Sequence, residues 1–167
     1  MKHNPSLYDV AVVGGGHAGI EAVASSIKQK LRTALITMDT SSLGRMSCNP
    51  AVGGIAKGQV VREIDVLGGA MGRFADSAGI QFRLLNKSKG RSVWSPRAQV
   101  DKRRYEKLAT KFLLSIQTLD IIEKEVVNLL IKNNTVEGLV FRGGETISAS
   151  TVILTCGTFL NGLIHIG

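Results

Sequence analysis

Three glycines, Gly14, Gly16 and Gly19, punctuate the stretch Asp9 to Glu21, which reads D-V-A-V-V-G-G-G-H-A-G-I-E. Their G-x-G-x-x-G spacing is suited to bringing a backbone against a pyrophosphate. Gly14 permits the tight turn, Gly16 removes a Cβ from the path of approach, and Gly19 lets the next helix pack closely. A phosphate held there meets the N–H groups and the positive dipole end of that helix. With Gly15, His17 and Ala18 between them, these residues form the candidate phosphate-binding segment. A glycine-rich turn alone is a weak signal, so its flanks decide the assignment.

Cys48 is the second group with chemical potential. A thiol in a polar loop becomes a nucleophile where basic or helix-terminal surroundings favour the thiolate, and Arg45 and Lys57 are near in sequence. A lone cysteine also packs well as a small hydrophobe, and on the residues alone both roles stay open for Cys48. Cys156, inside an apolar strand end, reads as packing. The two cysteines are far apart in sequence with no C-x-x-C, which suggests neither a disulfide framework nor a zinc site; no metal is expected.

The third feature is charge. Between Arg83 and Arg104 lie eight basic residues and one acid, Asp101, which accounts for seven of the eight net positive charges on the chain. Such a stripe fits a phosphate backbone or another acidic partner, the alternative being a solvated basic face.

The elements that must position these residues are legible from periodicity. Val10 to Val13 reads as a buried parallel strand, Ile20, Val23, Ala24 and Ile27 as one face of a helix, and Thr33 to Thr37 as a second strand, all within the roughly 30 residues of a β-α-β unit. Asp39 to Gly58 is long for a connection, and its Ser, Gly, Asn and Pro content suggests a functional loop, ordered by Leu43, Met46, Val52 and Ile55. A helix from Gln59 to Leu67, a short helix over Ala70 to Ala78, a strand over Ile80 to Leu85 and a helix over Lys102 to Leu114 follow. Leu119 to Ile122 extends the parallel sheet. Val126 to Ile131, Val136 to Phe141 and Thr146 to Ala149 form a meander divided by Asn133-Asn134 and Gly143-Gly144, and Thr151 to Thr155 is a return strand. The acid that normally takes the ribose hydroxyls at the end of the second strand is missing, because Thr37 stands there. Thr37 through its hydroxyl, Asp39 reaching back, or a group from elsewhere remain the alternatives, with a loop or cap role for Asp39.

No apolar run is long enough to span a membrane and the first residues lack a signal-peptide core, so a cytoplasmic location is expected. The order of elements resembles the FAD domain of two-dinucleotide flavoproteins, an α/β Rossmann-like fold with a β-meander insertion. Thr151-Val-Ile-Leu-Thr-Cys-Gly157 resembles the second motif of that superfamily, which implies Thr155 and Gly157 beside the flavin and Val126 beside adenine. Disulfide reductases carry a C-x-x-x-x-C in the corresponding loop, but Gly53 stands at the second position.

Four strings narrow the match: M-S-C-N-P-A-V-G-G-I-A-K-G from Met46, E-I-D-V-L-G-G from Glu63, G-I-Q-F-R-L-L-N-K-S-K-G from Gly79 and R-A-Q-V-D from Arg97. Together with T-C-G-T-F-L-N-G-L-I-H-I-G at the end, they resemble the GidA/MnmG family, the FAD subunits of the tRNA uridine 5-carboxymethylaminomethyl modification enzyme. A departure is Arg91-Ser92-Val93-Trp94, where the family typically has Pro-Ala-Val after Lys89-Gly90.

The resemblance implies a flavoprotein that acts with a GTPase partner, as a homodimer, on C5 of the wobble uridine of tRNA. NADH would recharge the flavin and a folate-borne one-carbon unit would be the donor. Cys48 would be the functional cysteine, as nucleophile or in proton transfer. Lys87, Lys89, Arg91, Arg103 and Arg104 are the candidates for tRNA phosphates. Arg97, Gln99 and Asp101 fit a loop-holding role equally well, and Trp94 fits either stacking on a base or packing. Residues 1–167 would be the N-terminal part of an FAD-binding domain, with the rest of that domain, an NAD-binding region and a C-terminal helical region absent and this chain alone inactive. A folate- and FAD-dependent tRNA uracil-5-methyltransferase and a non-catalytic nucleotide- or RNA-binding piece are the competing expectations.

Overall fold

The computed structural model describes residues 7–160. It divides into two compact units, one formed by residues up to 42 and from 117, the other by residues 43–116. The final residues of the last family motif, 161–167, lie outside the described residues.

The first unit is built on β1 (Leu7–Val13), α1 (His17–Lys28) and β2 (Thr33–Thr37); β2 has the expected limits, whereas β1 begins three residues before the expected Val10. β2 is buried at every position, as a strand covered on both faces must be. In α1, Ile20, Val23 and Ala24 are buried. β6 (Leu119–Glu123) joins β2 in parallel. β7 (Val126–Lys132), β8 (Thr135–Phe141) and β9 (Thr146–Leu154) form the meander, and the sheet order is β6-β2-β1-β9-β8-β7.

Only Lys124 and Glu125 separate β6 from β7, the two outer strands of that order, so the sheet folds back over itself. The core lies in the fold: Tyr8, Ala11 and Val13 of β1 and Ala34 and Ile36 of β2 share one buried cluster with Leu139, Phe141 and Ala149.

One expectation is corrected here. The meander's last strand and the return strand are not two elements but one, β9. Its first part pairs antiparallel with β8 and its later part runs parallel to β1. The polar residues around Ser150 mark a change of partner, not a turn.

The second unit contains β3 (Ala51–Gly53), α2 (Lys57–Val66), α3 (Met71–Ala78), β4 (Gly79–Leu85), β5 (Ser95–Val100) and α4 (Lys102–Leu114). The three strands form an antiparallel sheet in the order β3-β5-β4. β3 and β5 are additional to the elements read from sequence. Phe74 of α3 packs edge-on to Tyr105 and Phe112 of α4, with centroids 5.8 and 5.5 Å apart. Asp101 caps α4, accepting a hydrogen bond from the Arg104 N–H at 2.9 Å, which selects the loop-holding role for this residue. In the long loop Leu43, Met46 and Val52 are buried, whereas Ile55 is exposed. Val60 and Val66 of α2 and Leu67 just after it are also exposed.

Candidate functional site

The four parallel strands β1, β2, β6 and β9 end on one edge of the sheet, and most of the expected cofactor contacts gather there. β1 runs into Gly14, whose φ of +113° is a conformation that glycine adopts at low cost. Its N–H donates to the Ile36 carbonyl at 2.8 Å, which ties the turn to β2. A Cβ on Gly19 would lie 1.8 Å from the Gly14 carbonyl oxygen, so helix and turn approach as only glycine allows.

Gly16 differs from both. It is the N-cap of α1 in an extended conformation, contributes no capping side chain, and a Cβ there would meet nothing within 4 Å. The N–H groups of a first helical turn have no acceptor within the helix, and no acidic residue occupies that turn. Open space in front of an uncapped, acid-free helix end is the cradle that a pyrophosphate requires. His17 and Ala18 open α1 behind it.

Thr155 is brought to the same turn by β9. Its N–H donates to the Val13 carbonyl at 2.8 Å, and its Oγ1 lies 2.8 Å from the Val13 oxygen and 3.1 Å from that of Gly14. Thr155 therefore fixes the strand end from which the glycine turn springs. Gly157 follows with a φ of +59° and open space around a notional Cβ. Cys156 packs against the buried cluster, the role expected of it.

Val126 opens β7 two residues after Lys124, whose N–H donates to the Thr37 carbonyl at 2.9 Å. It thus stands by the ends of β2 and β6. Thr37 is buried and its Oγ1 donates to the Asp39 carbonyl at 3.2 Å. The Asp39 carboxylate accepts from the Ser41 N–H at 2.8 Å, the local turn role that was its alternative to ribose binding.

An acid that sequence reasoning did not single out stands beside Thr37: Glu123, the last residue of β6, is paired directly with it. Its carboxylate accepts hydrogen bonds from the hydroxyl and, at 2.9 Å, the N–H of Thr40. These bonds hold its acid below the usual carboxylate range.

In the second unit Cys48 is exposed, which removes the buried-hydrophobe role. Lys57 does not serve it in the way its sequence proximity suggests, because Nζ donates to the Ala51 carbonyl at 3.4 Å.

The basic candidates divide between two places. Lys87, Lys89 and Arg91 lie on two short 3-10 turns joining β4 to β5, and Arg103 and Arg104 in the first turn of α4. All five are exposed. Trp94 closes the β4–β5 connection, 36% exposed, with Nε1 donating to the Lys87 carbonyl at 3.3 Å and the Arg91 guanidinium 5.7 Å from its ring centroid.

A model of the family described as glucose inhibited division protein A matches residues 9–167. The tRNA uridine 5-carboxymethylaminomethyl modification enzyme MnmG of Endomicrobium trichonymphae is 52% identical over 160 residues, covering 96% of this chain and 27% of that protein. The enzyme of the same description from Bacteroides thetaiotaomicron is 53% identical over 160 residues, with 96% and 26% covered. This chain therefore spans about a quarter of the length of the curated relatives it matches. Among solved structures, Aquifex aeolicus GidA superposes with a TM-score of 0.92 at 49% identity, covering 97% of this chain and 27% of that one. A GidA-related protein from Thermus thermophilus, at 17% identity and a TM-score of 0.58, shares the fold.

Proposed function

The chain belongs to the glucose inhibited division protein A family, and from that premise we propose that it supplies the FAD pyrophosphate site and one reactive cysteine to a tRNA uridine-modifying flavoenzyme. The carrying observation is the family match over residues 9–167, joined to the open cradle at Gly16. The relatives' printed description, modification of a tRNA uridine at position 5, is the proposed reaction. Residues 1–167 are proposed as the N-terminal part of the FAD-binding domain. NADH, a folate-borne one-carbon donor, a GTPase partner, a homodimer and a cytoplasmic location complete the proposal through the family resemblance.

In this proposal Gly14, Gly15, Gly16, His17, Ala18 and Gly19 hold the pyrophosphate by backbone N–H groups and helix dipole. Thr155 and Gly157 line the strand end beside the turn, and Val126 stands at the adenine end. FAD, when bound, supplies the hydride chemistry that no side chain carries.

Cys48 supplies a thiolate or a proton. Addition of its sulfur to C6 of the uridine would make C5 an enolate-like carbon able to attack an electrophilic methylene. Its exposure supports either role.

The tRNA would be gripped by the exposed cations of the second unit. Arg103 and Arg104 sit in the first turn of α4, just after its Asp101 cap. Their exposure leaves both side chains open to a phosphate. On the β4–β5 connection Lys87, Lys89 and Arg91 are the other cations, and Trp94 beside Lys87 and Arg91 offers an aromatic face for a splayed base.

The test uses a chimera in which this chain replaces the aligned segment of the Aquifex aeolicus relative. Cys48→Ser is expected to keep its flavin absorbance and lose the modified nucleoside, read by mass spectrometry of digested tRNA. Unchanged modification in that variant would remove Cys48 from the chemistry.

A further inference from the structure

A dinucleotide fold ordinarily carries an acid at the end of its second strand, where it accepts from the ribose hydroxyls. Here Thr37 stands at that place, and both it and Asp39 are committed to the local turn. The Thr37 hydroxyl donates to the Asp39 carbonyl at 3.2 Å and accepts from the Asp39 N–H at 3.4 Å. The Asp39 carboxylate accepts from the Ser41 N–H at 2.8 Å.

Glu123 reaches the same place from the neighbouring strand. It stands directly opposite Thr37 in the parallel register of β2 and β6. β1, β2 and β6 are successive neighbours at a spacing of about 4.8 Å, so the main chain of Glu123 lies one strand farther from the glycine turn than an acid on β2 would. Its side chain recovers that distance. The carboxylate accepts from the hydroxyl of Thr40 and, at 2.9 Å, from its N–H, which holds it against the chain leaving β2 rather than over its own strand.

Both of those bonds fall on Oε2. A carboxylate accepts at about four lone-pair sites on its two oxygens, and Oε1 makes no hydrogen bond or ion pair with any described residue. The side chain is exposed. It is therefore an oriented acceptor with one oxygen to spare. Its position in the chain fits as well. In FAD the ribose joins the pyrophosphate to adenine, and Glu123 stands between the glycine turn that follows β1 and Val126, which opens β7 at the adenine end of the proposed site.

We propose that Glu123 is the ribose-binding acid of this chain, its Oε1 accepting a hydrogen bond from the 2′-hydroxyl of the adenosine half of FAD. The inference rests on the FAD reading above and adds a residue to it. An acid from β6 replaces the one that β2 lacks, and Thr40 orients it. Glu123 binds the dinucleotide far from the flavin ring and takes no part in hydride transfer.

The test uses the chimera freed of flavin and titrated with FAD and with the FAD analogue whose adenosine lacks the 2′-hydroxyl, binding being followed by flavin fluorescence. The parent should prefer FAD about tenfold or more, the usual worth of a hydrogen bond to a charged group. Glu123→Ala should bind FAD only as tightly as the parent binds the analogue, and should no longer tell the two apart. Glu123→Gln keeps a neutral acceptor and should fall between. Thr40→Val removes a tie of the loop but leaves the acceptor, so it should retain the preference. A parent that binds FAD without distinguishing the analogue overturns the role of Glu123 and leaves the FAD site standing. A preference that survives Glu123→Ala also overturns it, giving the ribose to another group. Loss of the preference in Thr40→Val as complete as in Glu123→Ala would make Glu123 a tie for the loop and overturn the proposal too. A parent that takes up neither flavin overturns the FAD reading itself, and this inference with it.

Discussion

At the scale of the residue, Gly16 and Gly19 make opposite predictions. Alanine at Gly19 drives a Cβ into the Gly14 carbonyl, so the turn must open, and a loss of more than about 2 kcal/mol is expected in denaturant unfolding. Alanine at Gly16 enters open space at an ordinary φ of −77°. It should cost about 1 kcal/mol as a poorer cap, while a larger group there blocks the pyrophosphate. Stability thus reports on Gly19 and FAD affinity on Gly16. Thr155→Val removes the Oγ1 contact to Val13 and Gly14, and about 1 kcal/mol is the expected loss. The close packing at Gly19 and the freedom at Gly16 were legible as glycines at fixed spacing. The hydroxyl contact of Thr155 was not, because a partner some 140 positions away leaves no local trace.

At the scale of the element, the loop after β2 is tied to the end of β6. Thr40 donates to Glu123, and these hydrogen bonds hold the carboxyl pKa below its ordinary value. A group whose folded pKa is depressed stabilises the protein above its unfolded pKa and loses that contribution as pH falls through the folded one. Hydrogen exchange at Thr40 to Ser42 should therefore be slowed at neutral pH relative to a Glu123→Gln variant, once intrinsic rates are removed. The difference should vanish on acidification below the carboxylate range, whereas a difference that persists there would assign the protection to something else.

β2 and α4, whose signals are local, have the limits expected of them. α4 begins at Asp101 because a capping residue precedes an apolar-periodic run. β5 was obscured, since Pro96 and Arg97 break the alternation that marks a strand, and its place depends on pairing with β4 and β3. β9 read as two strands because one chain segment serves two partners.

At the scale of the whole molecule, each compact unit carries one of the proposed activities: the first the nucleotide cradle, the second the cysteine and the basic surface. For RNA binding, Lys89→Ala with Arg91→Ala should reduce the slope of log affinity against log salt by about 1.4–1.8. Trp94→Ala should cost about 1–3 kcal/mol toward a single-stranded loop, and far less toward a duplex, if a base stacks on it. An unchanged salt slope in the double variant would leave the stripe a solvated face.

The central claim is that the turn from Gly14 to Gly19 holds the FAD pyrophosphate. Flavin content of the purified chimera, by visible absorbance per protein, tests it most directly when Gly16→Val is compared with the parent. The account predicts a parent that retains flavin and a Gly16→Val protein that is folded by circular dichroism but colourless. A Gly16→Val protein that keeps the parent's full flavin content would contradict it.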